Sequence, residues 1–311
     1  MPVYILHENP AWLPAFGDAL DAAGLGWEAW MLDGGTLDLD AAPPEGVFWS
    51  RMSASAATRG HDRAIAHTRA VLDWLEAYGR RVVNGRTALE LEVSKAAQHL
   101  ALQAAGIATP RSVAVVGDDP ATLIGAAAPV PAPLVVKPNR GGTGWGVQWL
   151  PDHAALAQAA HAGTLAASPD GVRLVQEYVD APAGRITRVE LVGGRFVYAV
   201  DVDTSSGFEL CPADACRPGD GGSLFSLRAD VDPQLVSQYE TFALEHGLEV
   251  VAFEHVESPD GRRLTYDINT NTNYSPDIEA VAPRSGPGQV ARLLADLLHA
   301  DHAPAPSSAA R

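Results

Sequence analysis

Glu254-His255-Val256-Glu257-Ser258-Pro259-Asp260-Gly261-Arg262-Arg263-Leu264-Thr265-Tyr266-Asp267-Ile268-Asn269 is the stretch that decides how this chain folds. Pro259-Asp260, flanked by Ser258 and Gly261, is a turn signal, so the two runs are expected to pair as antiparallel strands. If Ser258 faces Gly261, then Glu254 faces Thr265. Strand alternation puts Thr265, Asp267 and Asn269 on the same side as Glu254. Two carboxylates and an amide oxygen on one face, behind apolar Val250, Val251 and Phe253, suit magnesium. That ion takes hard oxygen ligands and completes its octahedron with water and substrate phosphates. The plainer account of the same residues is the solvated face of an antiparallel sheet, where acids are commonplace. Thr270-Asn271-Thr272-Asn273, just beyond, can be read simply as a turn.

Upstream lies a glycine-rich segment, Lys137-Pro138-Asn139-Arg140-Gly141-Gly142-Thr143-Gly144-Trp145-Gly146-Val147. It contains neither GxGxxG nor GxxxxGK[ST], so it is neither a dinucleotide fingerprint nor a Walker loop. Glycine clusters are often only flexible loops. Here a lysine closes an apolar strand, Leu134–Lys137, and a second strand, Val147–Leu150, follows at once, so the loop tips a hairpin. Its backbone N–H groups can approach anionic oxygens closely. The lysine matters because the chain has 22 basic residues and only two of them, Lys95 and Lys137, are lysine. Drift toward arginine explains the missing lysines but not the two retained. A compact, mobile point charge is what a planar guanidinium cannot replace.

Around these segments the chain reads as alternating strands and helices. Val3–Leu6, Gly46–Trp49 and Arg81–Val83 are strand-like, with helices at Trp12–Ala23 and around Ile65, Leu72 and Leu75. That alternation predicts a parallel sheet with covered faces. A helix starting near Thr87 places Val93, Ala97, Leu100 and Ala104 on one buried stripe, with Lys95 about 200° from Val93 and facing away. Gly106 and Pro110 end it. Strands at Ser112–Val116, Arg173–Val179, Arg188–Val192, Arg195–Asp203, Glu249–Val256 and Arg263–Asn269 follow. They are interleaved with helices at His153–Ala162, around Tyr239, and around Leu294.

Length and charge narrow the class. The 311 residues suffice for roughly two domains of about 150 residues. A net charge of −16 argues against a nucleic-acid backbone as partner. No apolar run approaches the ~20 residues of a membrane span, and the first residues lack a signal peptide's basic and apolar regions. Two cysteines, Cys211 and Cys216, make no disulfide framework, so a reducing, cytoplasmic setting is expected. With four residues between them they fit ordinary thiols in a substrate-facing loop better than zinc, which usually needs four ligands. Residues 303–311, small and Pro/Ser-rich, read as a disordered tail.

Taken in order, these motifs resemble the ATP-grasp superfamily, in particular its glutathione synthetase-like and amino-acid (glutamate ligase-type) ligases, over roughly residues 80–298. Val83-Asn84-Gly85, Ser94-Lys95 and Gly106-Ile107-Ala108-Thr109-Pro110 look like that family's first lysine helix. Leu134-Val135-Val136-Lys137-Pro138 and the glycine loop look like its second lysine and phosphate-covering hairpin. Val175-Gln176-Glu177-Tyr178-Val179 is similar to the hinge that holds adenine. Asp267-Ile268-Asn269-Thr270-Asn271-Thr272-Asn273-Tyr274 matches its magnesium-binding Glu-x-Asn strand with aspartate for glutamate, and Glu254 falls at the first metal carboxylate.

The resemblance implies an α/β fold with α+β character in the C-terminal half. It divides the chain into a Rossmann-like pre-ATP-grasp domain (1–86), a central subdomain with the phosphate loop (87–178) and a C-terminal subdomain with the metal site (179–302). It implies ATP and Mg2+ as cofactors, with two ions and Mn2+ able to substitute. ATP would be held by Lys95, Lys137, Gly141, Gly142, Thr143, Gly144, Trp145, Gly146, Gln176, Glu177, Tyr178 and Val179, and the metal by Glu254, Asp267 and Asn269. Lys137 and Arg188 would be catalytic. The activity implied is carboxylate–amine ligation through an acylphosphate, on small-molecule acids and amines such as amino acids or short peptides. A small-molecule kinase and a nucleotide-binding regulatory protein are the rival readings. Homodimers are common in the family.

The substrate end departs from the pattern. Gly184-Arg185-Ile186-Thr187-Arg188 keeps the family's arginine but lacks the acid that often precedes it. The arginine near Val202 and the Arg-x-Asn near Glu209–Cys211 are also missing. Arg217 is a candidate substitute, as is Arg51, which with Ser53 follows a strand where open α/β sheets bind ligands. Helix-capping serines in a surface loop are the alternative there. Asn271 completes the candidate substrate residues.

Overall fold

The computed structural model describes residues 1–181, 184–205 and 224–301. The expectations for Cys211, Cys216, Arg217 and the 303–311 tail lie outside those residues. The N-terminal part alternates β1 (Val3–His7), α1 (Pro14–Ala22), β2 (Trp27–Met31), β3 (Val47–Arg51), α2 (Ala64–Ala77) and β4 (Arg81–Val83). Its sheet, ordered β2-β1-β3-β4, is parallel throughout. All five residues of β1 and of β3 are buried, the continuous burial of a sheet covered on both faces. Tyr4, Leu6 and Phe48 pack toward Ile65, Leu72 and Leu75 of α2. Val3, Ile5 and Trp49 turn to the other side, toward Phe16 and Leu20 of α1.

The helix expected from Thr87 is two helices, α3 (Arg86–Glu92) and α4 (Lys95–Ala104). Ser94 breaks the run with extended backbone angles, and its Oγ accepts from the Ala97 N–H at 3.2 Å, an N-cap. The restart rotates the helical register, so Leu100 is 66% exposed while Gln98 and Leu102 face inward. The single buried stripe predicted across Val93 and Leu100 is therefore wrong. Next come β5 (Ser112–Val116), α5 (Pro120–Ala127), β6 (Leu134–Pro138), β7 (Gln148–Leu150), α6 (His153–Ala162) and β8 (Val172–Glu177). They form an antiparallel sheet ordered β5-β8-β6-β7, with α5 and α6 covering Val115, Leu134, Val136 and Val175. Helix α5 went unread because Pro-Ala-Thr-Leu-Ile-Gly-Ala-Ala carries no polar face to set a period.

The third sheet contains β9 (Arg185–Val192), β10 (Arg195–Asp203), β11 (Phe225–Arg228), β12 (Val250–Glu257) and β13 (Arg263–Asn269) in the antiparallel order β11-β10-β9-β12-β13. Helix α7 (Pro233–Glu245), together with α3 and α4, buries Val189, Leu191, Val251 and Phe253 on one face. So α3 and α4, assigned above to the central unit, pack on this sheet. The opposite face carries Val192, Val200 and Val250 toward α8 (Pro276–Glu279), α9 (Gly286–Asp301) and the α1 side of the first sheet. Among the described residues no helix is long and apolar enough to cross a membrane.

The β12–β13 hairpin differs from its predicted register twice. Ser258 N–H bonds Arg262 O at 2.9 Å, so Pro259, Asp260 and Gly261 form a three-residue loop, with Gly261 at φ +80 supplying the left-handed residue. A bulge between Glu254 and His255 then shifts the register again. The two slips restore the parity, and Glu254 stands directly opposite Asp267. Thr265 does not share their side. It pairs with His255 and bonds the Tyr239 hydroxyl at 2.6 Å under α7.

Candidate active site

Residues of the second and third sheets, with Trp12 and the Ser53–Ser55 loop that follows β3, line one cavity of about 600 Å3. Its charged centre is built from neighbouring strands. Arg188 on β9 lies opposite Glu254 on β12, which lies opposite Asp267 on β13. Arg188 donates from Nη1 to Glu254 Oε1 at 2.9 Å, from Nε to Glu190 Oε1 at 2.6 Å, and from Nη2 to Thr272 Oγ1 at 2.6 Å. Asn269 Nδ2 and the Tyr266 hydroxyl each donate to Glu254 at 3.2 Å. Burial raises the pKa of Glu254, with Arg188 opposing and Asp267 adding to the rise.

Lys95 is the first residue of α4, so the Ser94 cap that starts the helix also sets the lysine's position. Its Nζ meets both oxygens of Asp267, at 2.7 and 2.9 Å. Burial works to lower the Lys95 pKa, but the charge and hydrogen bonds of Asp267 outweigh it and the net direction is upward. Lys137 on β6 is 5% exposed, with Nζ 5.5 Å from the Tyr266 ring centroid. Burial, and then the charge of Lys95, push it down to about 8.

Glu254, Asp267 and Asn269 offer a magnesium ion two carboxylates and an amide, and Lys95 Nζ already shows that a cation is stable against Asp267. The donor set fits a hard divalent cation. Among the described residues no three His, Cys, Asp or Glu side chains gather to hold a metal, which leaves the Glu254 and Asp267 pair with the Asn269 amide as the oxygen donors here.

Gly141, Gly142, Thr143, Gly144 and Trp145 line the cavity between β6 and β7. Gly146 does not, and its constraint is packing. At φ +70, a Cβ there would fall 2.8 Å from Ala166 Cβ and 2.9 Å from Pro138 Cγ. Asn139, unremarked in the sequence, ties the base of this loop to α4. Its Oδ1 accepts from the Ala96 N–H at 2.8 Å, and its carbonyl accepts from the Lys95 N–H at 3.2 Å. At the other end Gln176, Glu177, Tyr178 and Val179 all line the cavity. Gln176 is braced by Ser112 Oγ at 2.8 Å, Glu177 by the Arg111 N–H at 2.9 Å, and Trp149 meets Tyr178 edge-on.

Of the candidate substrate residues, Ser53 and Asn271 line the cavity and Arg51 does not. Arg51 ends β3 rather than sitting in a loop, and it is 1% exposed. It donates to Trp12 O (2.7 Å), Thr272 O (3.0 Å) and Asn273 Oδ1 (2.6 Å), and its guanidinium lies over Phe16 and Trp49. So placed, it holds the Thr272 carbonyl and the Asn273 side chain from behind the cavity rather than lining it. Sequence reading also missed Glu190, Thr272 and Glu92. Glu190 is two residues from Arg188 on the same strand face, and that spacing was a usable signal. Glu92 accepts from the Ala54 and Thr270 N–H groups, linking the first and third sheets.

The arrangement of the three sheets is similar to that of solved structures. A RimK-domain ATP-grasp protein from Sphaerobacter thermophilus superposes with a TM-score of 0.67 at 19% identity, covering 94% of this chain and 99% of that one. The D-cycloserine synthetase DcsG gives 0.69 at 19%, covering 95% and 99%. This chain has the ATP-grasp fold. The ATP-grasp ligase PsnB with a minimal precursor gives 0.67 at 16% identity, covering 95% and 99%, and PsnB has also been solved with magnesium and ADP. No protein-family model and no curated protein sequence matches the chain. Within the ATP-grasp fold, the cavity lies where the glycine hairpin of the central sheet faces the acid pair of the C-terminal sheet.

Proposed function

We propose that this protein is an ATP-dependent carboxylate–amine ligase that forms an amide through an acylphosphate and releases ADP and phosphate. The observation that carries this reading is the meeting of the chain's two lysines with Arg188, Glu254, Asp267 and Asn269 in one cavity. Lysine is scarce here, and both copies converge on one acid pair.

In this reading Gln176, Glu177, Tyr178 and Val179 hold the base of ATP, and the 141–145 loop covers its phosphates with backbone N–H groups. Lys137 and Lys95 neutralise phosphate charge, Lys95 by leaving Asp267. Glu254, Asp267 and Asn269 hold magnesium, which supplies charge neutralisation at the phosphates when bound. A substrate carboxylate oxygen attacks the γ-phosphorus and ADP leaves. The amine then attacks the acyl carbon and phosphate departs. Arg188, oriented by Glu190 and Thr272, stabilises the transferred phosphoryl group and the oxyanion. The closed hairpin keeps water from the acylphosphate. Ser53 and Asn271 stand at the substrate end.

The test is ADP release by the full chain with pooled amino acids and dipeptides, with mass spectrometry of the products. Amide formed stoichiometrically with ADP is the expected outcome. A stable phosphorylated product formed without any amine would make the protein a kinase. Nucleotide binding without turnover across the pools would favour a regulatory protein.

A further inference from the structure

The two lysines reach the cavity from different parts of the fold. Lys137 belongs to β6 of the central sheet, whereas Lys95 opens α4, a helix packed on the third sheet. Gln98 fixes that packing: its Nε2 donates to Ile268 O at 2.8 Å and its Oε1 accepts from the Ile268 N–H at 3.0 Å. Two cations carried by separate units act on one ligand only if something holds the units in register. Asn139, two residues after Lys137, bridges them.

Asn139 is 4% exposed and does not line the cavity. Its N–H donates to Val172 O at 3.0 Å, and its carbonyl accepts from the Lys95 N–H at 3.2 Å. Its Oδ1 accepts from the Ala96 N–H at 2.8 Å, and its Nδ2 donates to Asp170 Oδ2 at 2.6 Å. A backbone N–H only donates and an ionised carboxylate only accepts, so these two partners fix which way the amide points. Each polar group of Asn139 is thus engaged within the protein. Asp170 lies in the turn before β8, and its Oδ1 accepts from the Ser168 hydroxyl at 2.6 Å and the Val172 N–H at 3.2 Å. Burial works to raise the Asp170 pKa, but the hydrogen bonds from Ser168 and Asn139 outweigh it and the net direction is downward. Ser168 Oγ in turn accepts from the Arg140 N–H at 3.3 Å, where the glycine loop begins. Neither Ser168 nor Asp170 lines the cavity.

We infer that Asp170, acting through Asn139, is a positioning residue for the two phosphate lysines: it orients the amide that locks the first turn of α4, and with it Lys95, to the strand that carries Lys137. The inference rests on the ligase reading, in which both lysines meet the phosphates of ATP, and adds to it a residue outside the cavity.

The test compares two ligands on the full chain in the presence of magnesium. ADP carries phosphates for the lysines to meet; adenosine has the same base and sugar and no phosphate. Calorimetry reads the first and saturation-transfer NMR the second. Asp170→Asn offers one side-chain oxygen where two now accept, and Asn139→Asp sets one carboxylate against another. Each should weaken ADP about tenfold, the equivalent of one well-placed hydrogen bond. Adenosine, which meets neither lysine, should stay within about twofold of wild type. The double variant exchanges the partners. Its new carboxylate accepts from the Ala96 N–H and from the new amide, whose oxygen keeps Ser168 and Val172. Contacting residues couple in this way, so ADP affinity should return to within about threefold of wild type. Ser168→Ala is the milder probe should a single variant not fold, and it should weaken ADP about threefold while sparing adenosine. Equal losses of ADP and adenosine would make these residues merely part of the frame and overturn the inference. So would unchanged ADP affinity in the single variants, or a double variant no better than either. Failure of the wild-type chain to bind ADP overturns the ligase reading and the inference with it.

Discussion

Lys137 is buried beside the positive charge of Lys95, and the two effects together hold its pKa near 8. Its unfolded value is near 10.4. Between those values the unfolded chain binds the proton and the folded chain does not, so stability rises with pH across that window and the full penalty applies below it. Lys137→Met removes the charge with similar bulk. It should therefore be more stable than wild type at pH 7, with the difference shrinking as pH climbs from 8 to 10.5. Urea denaturation at several pH values reads this, and a constant difference would mean the lysine is not strained by burial. A carboxylate behaves differently in the same centre. Asp267 is held by Lys95 in the free protein, and its charge is what a metal would take over. Asp267→Asn keeps the shape without that charge. Magnesium should tighten ATP binding about tenfold or more in wild type and hardly at all in this variant, as calorimetry with and without the ion would measure. Equal magnesium dependence in both would leave Glu254, Asp267 and Asn269 as a polar sheet face.

At the scale of elements, the N-terminus of α4 determines where Lys95 points. Ser94 caps the helix, and Asn139 holds its first turn from the phosphate loop. Ser94→Ala should cost about 1 kcal/mol of stability and weaken ATP binding as well, whereas Ser94→Asp should recover the stability. An alanine variant with unchanged stability and nucleotide affinity would show that Asn139 suffices. The hairpin of β12 and β13 carries the clearest lesson on what strand arithmetic can reach. Turn residues located the hairpin correctly, but they did not fix its loop length, and the bulge after Glu254 left no mark in the sequence. Glu254 and Asp267 shared a face in the prediction through two errors of one residue each, while Thr265, beyond the bulge, was assigned to the wrong side. The α3–α4 break was missed for a similar reason. Apolar spacing continued across Ser94 even though the helix did not.

Over the whole molecule, Arg51 links the first sheet to the third. It reaches from the end of β3 to Thr272 O and Asn273 Oδ1, the segment that also supplies Asn271 to the cavity. Arg51→Ala would strand these buried acceptors and that of Trp12. It should destabilise the fold by about 3 kcal/mol or more and lower affinity for the proposed substrate without touching residues 176–179 at the cavity's other end. Thermal melts and separate titrations of nucleotide and amine would check both parts. Loss of substrate affinity with no loss of stability would instead make Arg51 a reader of substrate, reached through a rearrangement. Glu92 forms a second link between the same two sheets.

The sequence by itself determined many of the elements, though not β2, β11, α5 or α8, and singled out charged residues that meet at the cavity's centre. Periodicity gave β4, β5, β10, β13 and α6 nearly to the residue, because each is set by alternation or helical spacing over a few neighbours. The scarcity of lysine singled out Lys95 and Lys137, because composition bias is visible without any contact. Tertiary structure alone decided which polar residues face the cavity and which serve the frame. Arg51 looked like a loop residue and is a buried strut; Glu190, Thr272 and Glu92 looked ordinary and hold the site together. A side chain's partners at separations of tens to hundreds of residues depend on how sheets stack and where bulges shift parity. Neither leaves a local pattern in the chain.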